Sequence, residues 1–252
     1  MLAALACWPA QLDASRLPGQ LPEAAAPRRV LTAVDPCKVV VVGSSVAAGL
    51  GWPDSKPEKG WGGPELLGAA LSSNYALSLA NFAQSGKGVG SILPQLEQAL
   101  ATKPRVVIFG LSLANEGLRS DGNRSQAVAT GQHYTEGLLA LAQKAELANA
   151  TVVIGGVYPH NQYSAVQVQV LRETDATLKT WPYEHLDFMS VMSNADGSWK
   201  NGLNSNNGHP NVNGHAVMFS AINLAYFAQF ACNLPPPSPP PPSPPLPSPP
   251  SP

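Results

Sequence analysis

The segment KVVVVGSSVAAGLG, from Lys38 to Gly51, decides the fold class of this chain. Consecutive valines are typical of a strand that is buried on both faces, as in a parallel sheet covered by helices. Directly after the valines come Gly43, Ser44 and Ser45. Sheets of this kind bind ligands outside the carboxyl ends of their strands, so one of the two hydroxyl groups is a candidate nucleophile. A simple Gly-Ser turn leading into a helix is the alternative interpretation.

Apolar and helical segments alternate along the rest of the chain. After the valine strand, we predict strands at 75–83, 105–112, 151–159 and 185–192. The spacing of apolar residues predicts helices at 64–73, 91–101, 132–148, 163–181 and 214–231. Strands that alternate with helices form a parallel sheet with helices on both faces. The predicted fold class is therefore α/β, a three-layer α/β/α sandwich with a central parallel sheet, followed by a polyproline tail.

Composition divides the chain into a leader or weak signal segment (1–36), a folded domain (37–233) and a Pro/Ser-rich extended tail or linker (234–252). The tail resembles a polyproline helix, which buries no core. The formal net charge is −1 and charged residues make up 12%, so no basic surface for nucleic acid is expected. No segment reaches the ~20 apolar residues of a membrane span.

The cysteines suggest a disulfide at the edges of the domain. Cys37 precedes the valine strand and Cys232 ends the last helical segment, while Cys7 lies in the leader. Our hypothesis is a Cys37–Cys232 bond, and unpaired buried thiols are the alternative. Asn123 and Asn149 begin Asn-x-Ser/Thr triplets, which are acceptors of N-glycosylation in secreted proteins. These features predict a secreted protein.

Small and polar residues follow several of the predicted strands. Gly86 lies in SGKGVG after the second strand, Asn115 follows the third, and His209 lies in NNGHPNVNGH before the last helix. Because the carboxyl ends of parallel strands share one edge of the sheet, these residues are expected to meet Ser45 there.

These segments resemble, in the same order, the four sequence blocks of the SGNH hydrolases, the GDSL-like esterase and lipase superfamily. The resemblance covers about residues 37 to 231, and it includes the Trp-containing segment GWGGPELLGAAL at 60–71. It implies a flavodoxin-like α/β/α fold. It also implies that Ser45 is the nucleophile and His209 the base, and that the Ser45 N–H, the Gly86 N–H and the Asn115 amide form the oxyanion hole. No cofactor is implied.

The chain departs from the family pattern at two positions. Ser44 stands where the first block has an aspartate, and Asn206 stands where the final Asp-x-x-His block has one. The third member of a triad orients the imidazole and stabilises its charged form. Asn206 is therefore the candidate third member in a weakened triad. In the alternative, Ser45 and His209 work as a dyad or use Asp187 or Asp196.

Four residues in predicted loops are candidates for contact with the substrate. Trp52, Trp61, Tyr158 and His160 fall in loops on the predicted active edge, where they either line a substrate cleft or seal loops onto the core. Glu116, beside Asn115, is interpreted as structural. The histidines and cysteines show no spacing typical of a zinc site, and no metal is expected.

The resemblance and the chemistry together predict a serine esterase that forms an acyl-Ser45 intermediate. The tail resembles the Ser-Pro-Pro repeats of hydroxyproline-rich cell-wall glycoproteins of plants and green algae, so acetyl esters of a wall polysaccharide are the expected substrate and the wall matrix a partner. The alternatives are a catalytically attenuated matrix-binding module and a sugar O-acyltransferase, which would use the same residues.

Overall fold

The computed structural model describes residues 33–50, 60–205 and 208–232. The predicted tail and nearly all of the predicted leader lie outside these ranges. Five strands form one parallel sheet in the order β2-β1-β3-β4-β5, and helices cover both of its faces. The predicted α/β/α fold class is thereby confirmed. Within the described ranges, no helix has the length and apolar character needed to span a bilayer.

The secondary structure follows the predicted alternation. The strands are β1 (Asp35–Gly43), β2 (Ser78–Asn81), β3 (Pro104–Gly110), β4 (Thr151–Gly155) and β5 (Glu184–Leu186). The α-helices are α1 (Ala69–Tyr75), α2 (Leu93–Ala101), α3 (Arg124–Leu147), α4 (Ala165–Leu178), α5 (Phe188–Met192) and α6 (Val212–Ser220). A π-helical turn (Pro64–Gly68) precedes α1, and 3₁₀ turns cover Leu113–Glu116, Leu118–Ser120 and Leu224–Phe230.

The valine run of β1 serves two cores. Side chains alternate between the faces of a strand. Val40 and Val42 pack into the core beneath α2, α3 and α4. Val39 and Val41 pack into the core on the other face. All four valines are fully buried. Because both faces of the strand are covered, the sequence shows an unbroken apolar run rather than an alternating one.

Several predicted elements were wrong in their extent. The helix predicted at 132–148 begins earlier, as α3 runs from Arg124 to Leu147, and the strand predicted at 151–159 ends at Gly155. The segment 185–192 was predicted as a strand, but β5 ends at Leu186 and α5 begins at Phe188. Asp187 makes this change, because its side chain accepts the backbone N–H of Ser190 and caps the helix. The predicted closing helix at 214–231 is α6 followed by the separate 3₁₀ turn at Leu224–Phe230. Asn223, with a non-helical backbone (φ −69°, ψ 85°), separates the two.

The two sequon asparagines lie at exposed positions at either end of α3. The Asn123 side chain caps the helix by accepting the backbone N–H of Gln126. Asn149 has a positive φ of 64° in the turn into β4. Their glycosylation stays a prediction.

Glycine ends three neighbouring strands where their backbones come close. A Cβ at Gly43 of β1 would lie 2.4 Å from the carbonyl oxygen of Gly110 in β3. A Cβ at Gly155 of β4 would lie 2.6 Å from the carbonyl oxygen of Phe109. Any larger residue would therefore push apart the strand ends that carry the candidate site.

The structure pairs Cys37 of β1 with Cys232, which are 195 residues apart in sequence. The backbone N–H of Cys232 also donates to the carbonyl oxygen of Tyr75 at 2.9 Å. The bond thus ties the end of the described domain to the start of the central strand and to the end of α1.

His215 joins α6 to the segment that follows Ser45. Its Nδ1 accepts the backbone N–H of Trp61 at 3.3 Å, and its Nε2 lies 2.8 Å from the Leu50 carbonyl oxygen. These partners require a neutral ring protonated on Nε2. The ring is fully buried, and burial lowers its pKa to about 4, helped by the nearby His209 and opposed by the Leu50 hydrogen bond.

Replacing both cysteines, as Cys37→Ser with Cys232→Ser, is expected to lower the free energy of unfolding by ~2–5 kcal/mol, because the bond closes a long loop in the unfolded chain. Urea unfolding of the oxidised protein measures the loss, with Cys7→Ser as the control. Titration of the denatured, unreduced protein should find one thiol, and three thiols would contradict the bond.

The free energy of unfolding is expected to fall as the pH drops from 6.5 to 4. In this window His215 becomes protonated in the unfolded chain but not in the folded protein. This difference alone lowers the free energy of unfolding by about 3 kcal/mol. Urea unfolding of wild type and His215→Gln across this range isolates the effect, because the variant should lose the His215 share of the pH dependence and keep the share of His160, whose pKa is also lowered to about 4. His133→Gln, at an exposed position, serves as the control. Parallel curves for wild type and His215→Gln would contradict the assignment.

Candidate active site

Ser45 lies in the turn that follows β1. The turn starts with the Ser44 N–H donating to the Gly110 carbonyl oxygen at 2.9 Å and continues with Leu50 N–H donating to the Ser45 carbonyl at 2.9 Å. The side-chain amide of Asn81, at the end of β2, donates to the Ala47 carbonyl at 2.8 Å. The position of Ser45 is thus set by two neighbouring strands, and its side chain is almost fully buried.

His209 reaches Ser45 from the loop before α6. Its Nε2 lies 2.9 Å from the Ser45 Oγ, although the two residues are 164 positions apart. The backbone carbonyl of His209 accepts hydrogen bonds from the N–H and the hydroxyl of Ser205. Asn211 caps α6 and also donates to the carbonyls of Gly202 and Asn204, so the loop is held on both sides of the imidazole.

Backbone and amide donors surround the Ser45 hydroxyl. Gly86 and Asn115 line the same pocket as Ser45 and His209. Gly86 has a positive φ of 76° and open space where a Cβ would stand. In the described part of the chain, neither the Ser45 N–H nor the Gly86 N–H donates to a protein acceptor. Ser45 is almost fully buried, where unpaired N–H groups are rare, whereas Gly86 is exposed. Both donors are available to a substrate oxygen.

Asn115 and Glu116 hold the loop that carries Gly86. Asn115 Nδ2 donates to the Lys87 carbonyl at 3.0 Å, which leaves its second amide hydrogen available. Glu116 Oε1 accepts the Val89 N–H at 2.8 Å. Burial raises the pKa of Glu116, opposed by the Val89 hydrogen bond and by His133. Sequence reasoning interpreted Glu116 only as structural, and its contact with the glycine loop shows which structure it supports.

We call the cavity around the nucleophile the Ser45 pocket. Its volume is about 160 Å³, and it is lined by Ser45, Val46, Ser85, Gly86, Ser112, Ala114, Asn115, Arg119, Tyr158, His160, Gly208 and His209. His160 packs against Gly208, where a Cβ would lie 2.5 Å from the ring. The pKa of His160 is lowered to about 4 by burial and by the charges of Arg119 and His209. Ser112 and Arg119 were missed by sequence reasoning, because isolated residues in a loop carry no pattern.

Tyr158 and His160 line the pocket as predicted for substrate contact, but Trp61 does not. Trp61 is 1% exposed and packs against Phe188 with ring centroids 5.0 Å apart. Its ring fills the space beside Gly110 beneath the turn, so the alternative interpretation of a core-sealing aromatic applies to it. The predicted Trp52 and Asn206 lie outside the described residues.

The two alternative acids are engaged elsewhere. Asp187 caps α5 and pairs with Lys179 at 2.9 Å. Asp196 accepts the N–H and the hydroxyl of Ser198, which lowers its pKa. Among the described residues, no group of three or more His, Cys, Asp or Glu side chains is arranged to hold a metal ion. The Ser45 pocket thus brings a serine and an imidazole together with hydrogen-bond donors, which is what acyl transfer requires, and it also contains the guanidinium of Arg119.

Comparison with known structures supports this fold. TesA is 23% identical over 77% of this chain and 99% of its own, with a TM-score of 0.55. The psychrotrophic esterase EstA from Pseudoalteromonas sp. is 21% identical over 77% and 96%, with a TM-score of 0.54. Axe2, an acetylxylan esterase from Geobacillus stearothermophilus, is 13% identical over 78% and 94%, with a TM-score of 0.53. No curated protein sequence gives a significant match.

The sequence itself identifies the family. Residues 41–217 match the model of the GDSL-like lipase/acylhydrolase family. The matched range contains the turn of Ser45, the loop of Gly86, Asn115 and the loop of His209. The chain belongs to the GDSL-like lipase/acylhydrolase family and is a hydrolase of ester bonds.

Proposed function

We propose that the protein is a serine esterase that removes a short acyl group, acetyl in the first place, from the hydroxyl of a carbohydrate. The observation that carries the proposal is the 2.9 Å contact between Ser45 Oγ and His209 Nε2, in a pocket that also contains Gly86 and Asn115. An imidazole at this distance is within reach of the hydroxyl proton.

The proposed reaction has two steps. Ser45 Oγ attacks the ester carbonyl while His209 Nε2 takes the hydroxyl proton, and the carbonyl oxygen becomes an oxyanion that accepts from Ser45 N–H, Gly86 N–H and Asn115 Nδ2. His209 then gives its proton to the departing alcohol, which leaves acyl-Ser45. In the second step His209 takes a proton from water, the hydroxide oxygen attacks the acyl carbon, and Ser45 regains its proton as the acid departs.

The size of the Ser45 pocket supports a short acyl group. Pockets for drug-sized ligands measure ~300–1,000 Å³, whereas this pocket measures about 160 Å³. Its lining is dominated by small and polar side chains rather than by the long aliphatic ones that would accommodate a fatty acyl chain.

A second, larger cleft supports a carbohydrate as the alcohol. This asparagine cleft has a volume of about 530 Å³ and shares His160 with the Ser45 pocket. Side-chain amides, a hydroxyl group and two aromatic rings contribute to its lining, from Asn161, Asn194, Asn201, Asn204, Ser198, Tyr163 and Trp199. Amides and hydroxyls suit the hydroxyl groups of a sugar. An acetylxylan esterase shares the fold, so acetylated polysaccharide is the first substrate class to test.

The proposed location is extracellular, in the cell wall or matrix. The Cys37–Cys232 bond is of a kind that persists in oxidising compartments. The sequons at Asn123 and Asn149 lie at exposed positions. The Ser-Pro-Pro tail would act as a semi-rigid spacer to the matrix.

Asn206 favours a second candidate function, a catalytically attenuated matrix-binding module. In a serine protease, the change from aspartate to asparagine at the third triad position lowers turnover by about 10⁴. A protein weakened in this way would retain the clefts for binding and lose most of its rate.

Ser45→Ala and His209→Ala are each expected to lower kcat on p-nitrophenyl acetate by at least ~10³, because each removes one partner of the proton transfer. Release of p-nitrophenolate measures the rate, and Ser72→Ala on the exposed side of α1 is the control. Equally slow release by wild type and both variants would leave the attenuated module in place of the esterase.

Asn206→Asp is expected to raise kcat at least tenfold, because a carboxylate stabilises the imidazolium that forms on His209. The matched control is Asn207→Asp, which adds the same charge one residue further along. Steady-state kinetics on p-nitrophenyl acetate compares the two. An unchanged kcat in Asn206→Asp would mean that His209 works as a dyad or has another acid.

A further inference from the structure

Arg119 is a cation in the wall of the Ser45 pocket. It lies in the 3₁₀ turn Leu118–Ser120, directly after Gly117, whose φ of 100° reverses the chain. Among the described residues that line the pocket, it is the only one with a Lys, Arg, Asp or Glu side chain. The wall that surrounds the nucleophile is therefore neutral apart from this guanidinium and the two imidazoles.

The guanidinium of Arg119 has no carboxylate partner in the described part of the chain. Some cations there do have one, as Arg124 pairs with Glu173 at 2.8 Å and Lys144 with Glu97 at 2.7 Å. Others, such as Arg172 and Lys200, donate to backbone carbonyls instead. Glu116, three positions before Arg119, is directed instead toward the Val89 N–H. Arg119 can thus form an ion pair with a bound anion without first giving up a protein partner.

A buried glutamine fixes the backbone that presents Arg119. The Gln167 side chain is 4% exposed. Its Nε2 donates to the carbonyls of Arg119 at 3.4 Å and Asp121 at 2.8 Å, and its Oε1 accepts the Ser164 N–H at 2.8 Å. Burying an amide is favourable only when its hydrogen bonds are made. The hydrogen bonds of Gln167 attach the Arg119 turn to the start of α4.

The charges around the two clefts are asymmetric. Arg119 lines the Ser45 pocket, where its charge helps to keep His160 neutral. Asp196 lines the asparagine cleft, and its carboxylate is bound to Ser198. An anionic group on a substrate would be attracted to the Arg119 side, close to the reacting ester, and repelled from the Asp196 side.

We propose that Arg119 binds an oxyanion on the alcohol part of the substrate, so that the preferred substrate is a short-chain ester of an acidic sugar. The inference rests on the proposed function, in which the acyl group is acetyl and carries no charge, so the anion has to belong to the alcohol. The planar fork of arginine pairs with a carboxylate or a sulfate through two hydrogen bonds. The sugar carries one of these groups near the acetylated hydroxyl.

The test compares wild-type and variant kinetics on O-acetylated oligogalacturonide and on the same material after methyl esterification, which removes the charge but keeps the sugar. Wild type is expected to prefer the acidic form, and Arg119→Gln is expected to reduce the ratio of the two kcat/KM values about tenfold to hundredfold, mainly through KM. Arg119→Lys should give an intermediate ratio. Arg124→Gln removes the same charge from α3 and should leave the wild-type ratio. An acetylated galactan sulfate, measured beside its desulfated form, tells whether sulfate or carboxylate is preferred.

Two outcomes would overturn the proposal. The first is that wild type shows no preference for the anionic substrate. The second is that Arg119→Gln lowers kcat/KM equally on charged and neutral substrates, because this would mean a general effect on the transition state. Hydrolysis of p-nitrophenyl acetate by wild type tests the proposed function separately. If hydrolysis fails, calorimetric binding of the acidic oligosaccharide to wild type, and its loss in Arg119→Gln, still decides the role of Arg119.

Discussion

The close approach of β1 and β3 at their carboxyl ends is the constraint on which the site depends. Gly43 and Gly110 let the two backbones meet, and the Ser44 N–H then donates to the Gly110 carbonyl at 2.9 Å. This bond turns the chain out of the sheet so that the next residue, Ser45, faces the pocket. The hydroxyl at the end of an apolar strand has its position because two glycines leave room for the turn.

Polar side chains beneath the site hold the backbone segments that form it. His215, buried and neutral, holds Leu50 and Trp61, while Glu116 holds Val89 and thereby the loop of Gly86. Each satisfies backbone groups that would otherwise be buried without a partner. Under the proposed mechanism, oxyanion donors that are fixed before the reaction need no reorganisation during it, and His215 and Glu116 would provide this without touching the reacting atoms.

Much of the fold was predictable from the sequence, because the valine run and the regular alternation of segments leave little choice but a covered parallel sheet. The extent of individual elements was less predictable. Asp187 caps a helix where the end of a strand was expected, and the non-helical backbone of Asn223 divides the expected closing helix. Within the site, Ser45, Gly86, Asn115 and His209 were singled out in advance and line one pocket. Trp61 was misplaced, since a loop aromatic looks the same in sequence whether it faces a cleft or a core.

The sequence by itself singled out the residues that meet at the Ser45 pocket, because a serine, an imidazole and small or amide residues at strand ends form a recognisable order along the chain. Only the tertiary structure decided which other residues hold them in place and line the clefts around them. The contact of Glu116 with the glycine loop, the attachment of Arg119 by Gln167, and the sharing of His160 between two clefts join residues far apart in sequence. Such contacts depend on distances across the fold, and a one-dimensional pattern contains no distance between segments that meet only after folding.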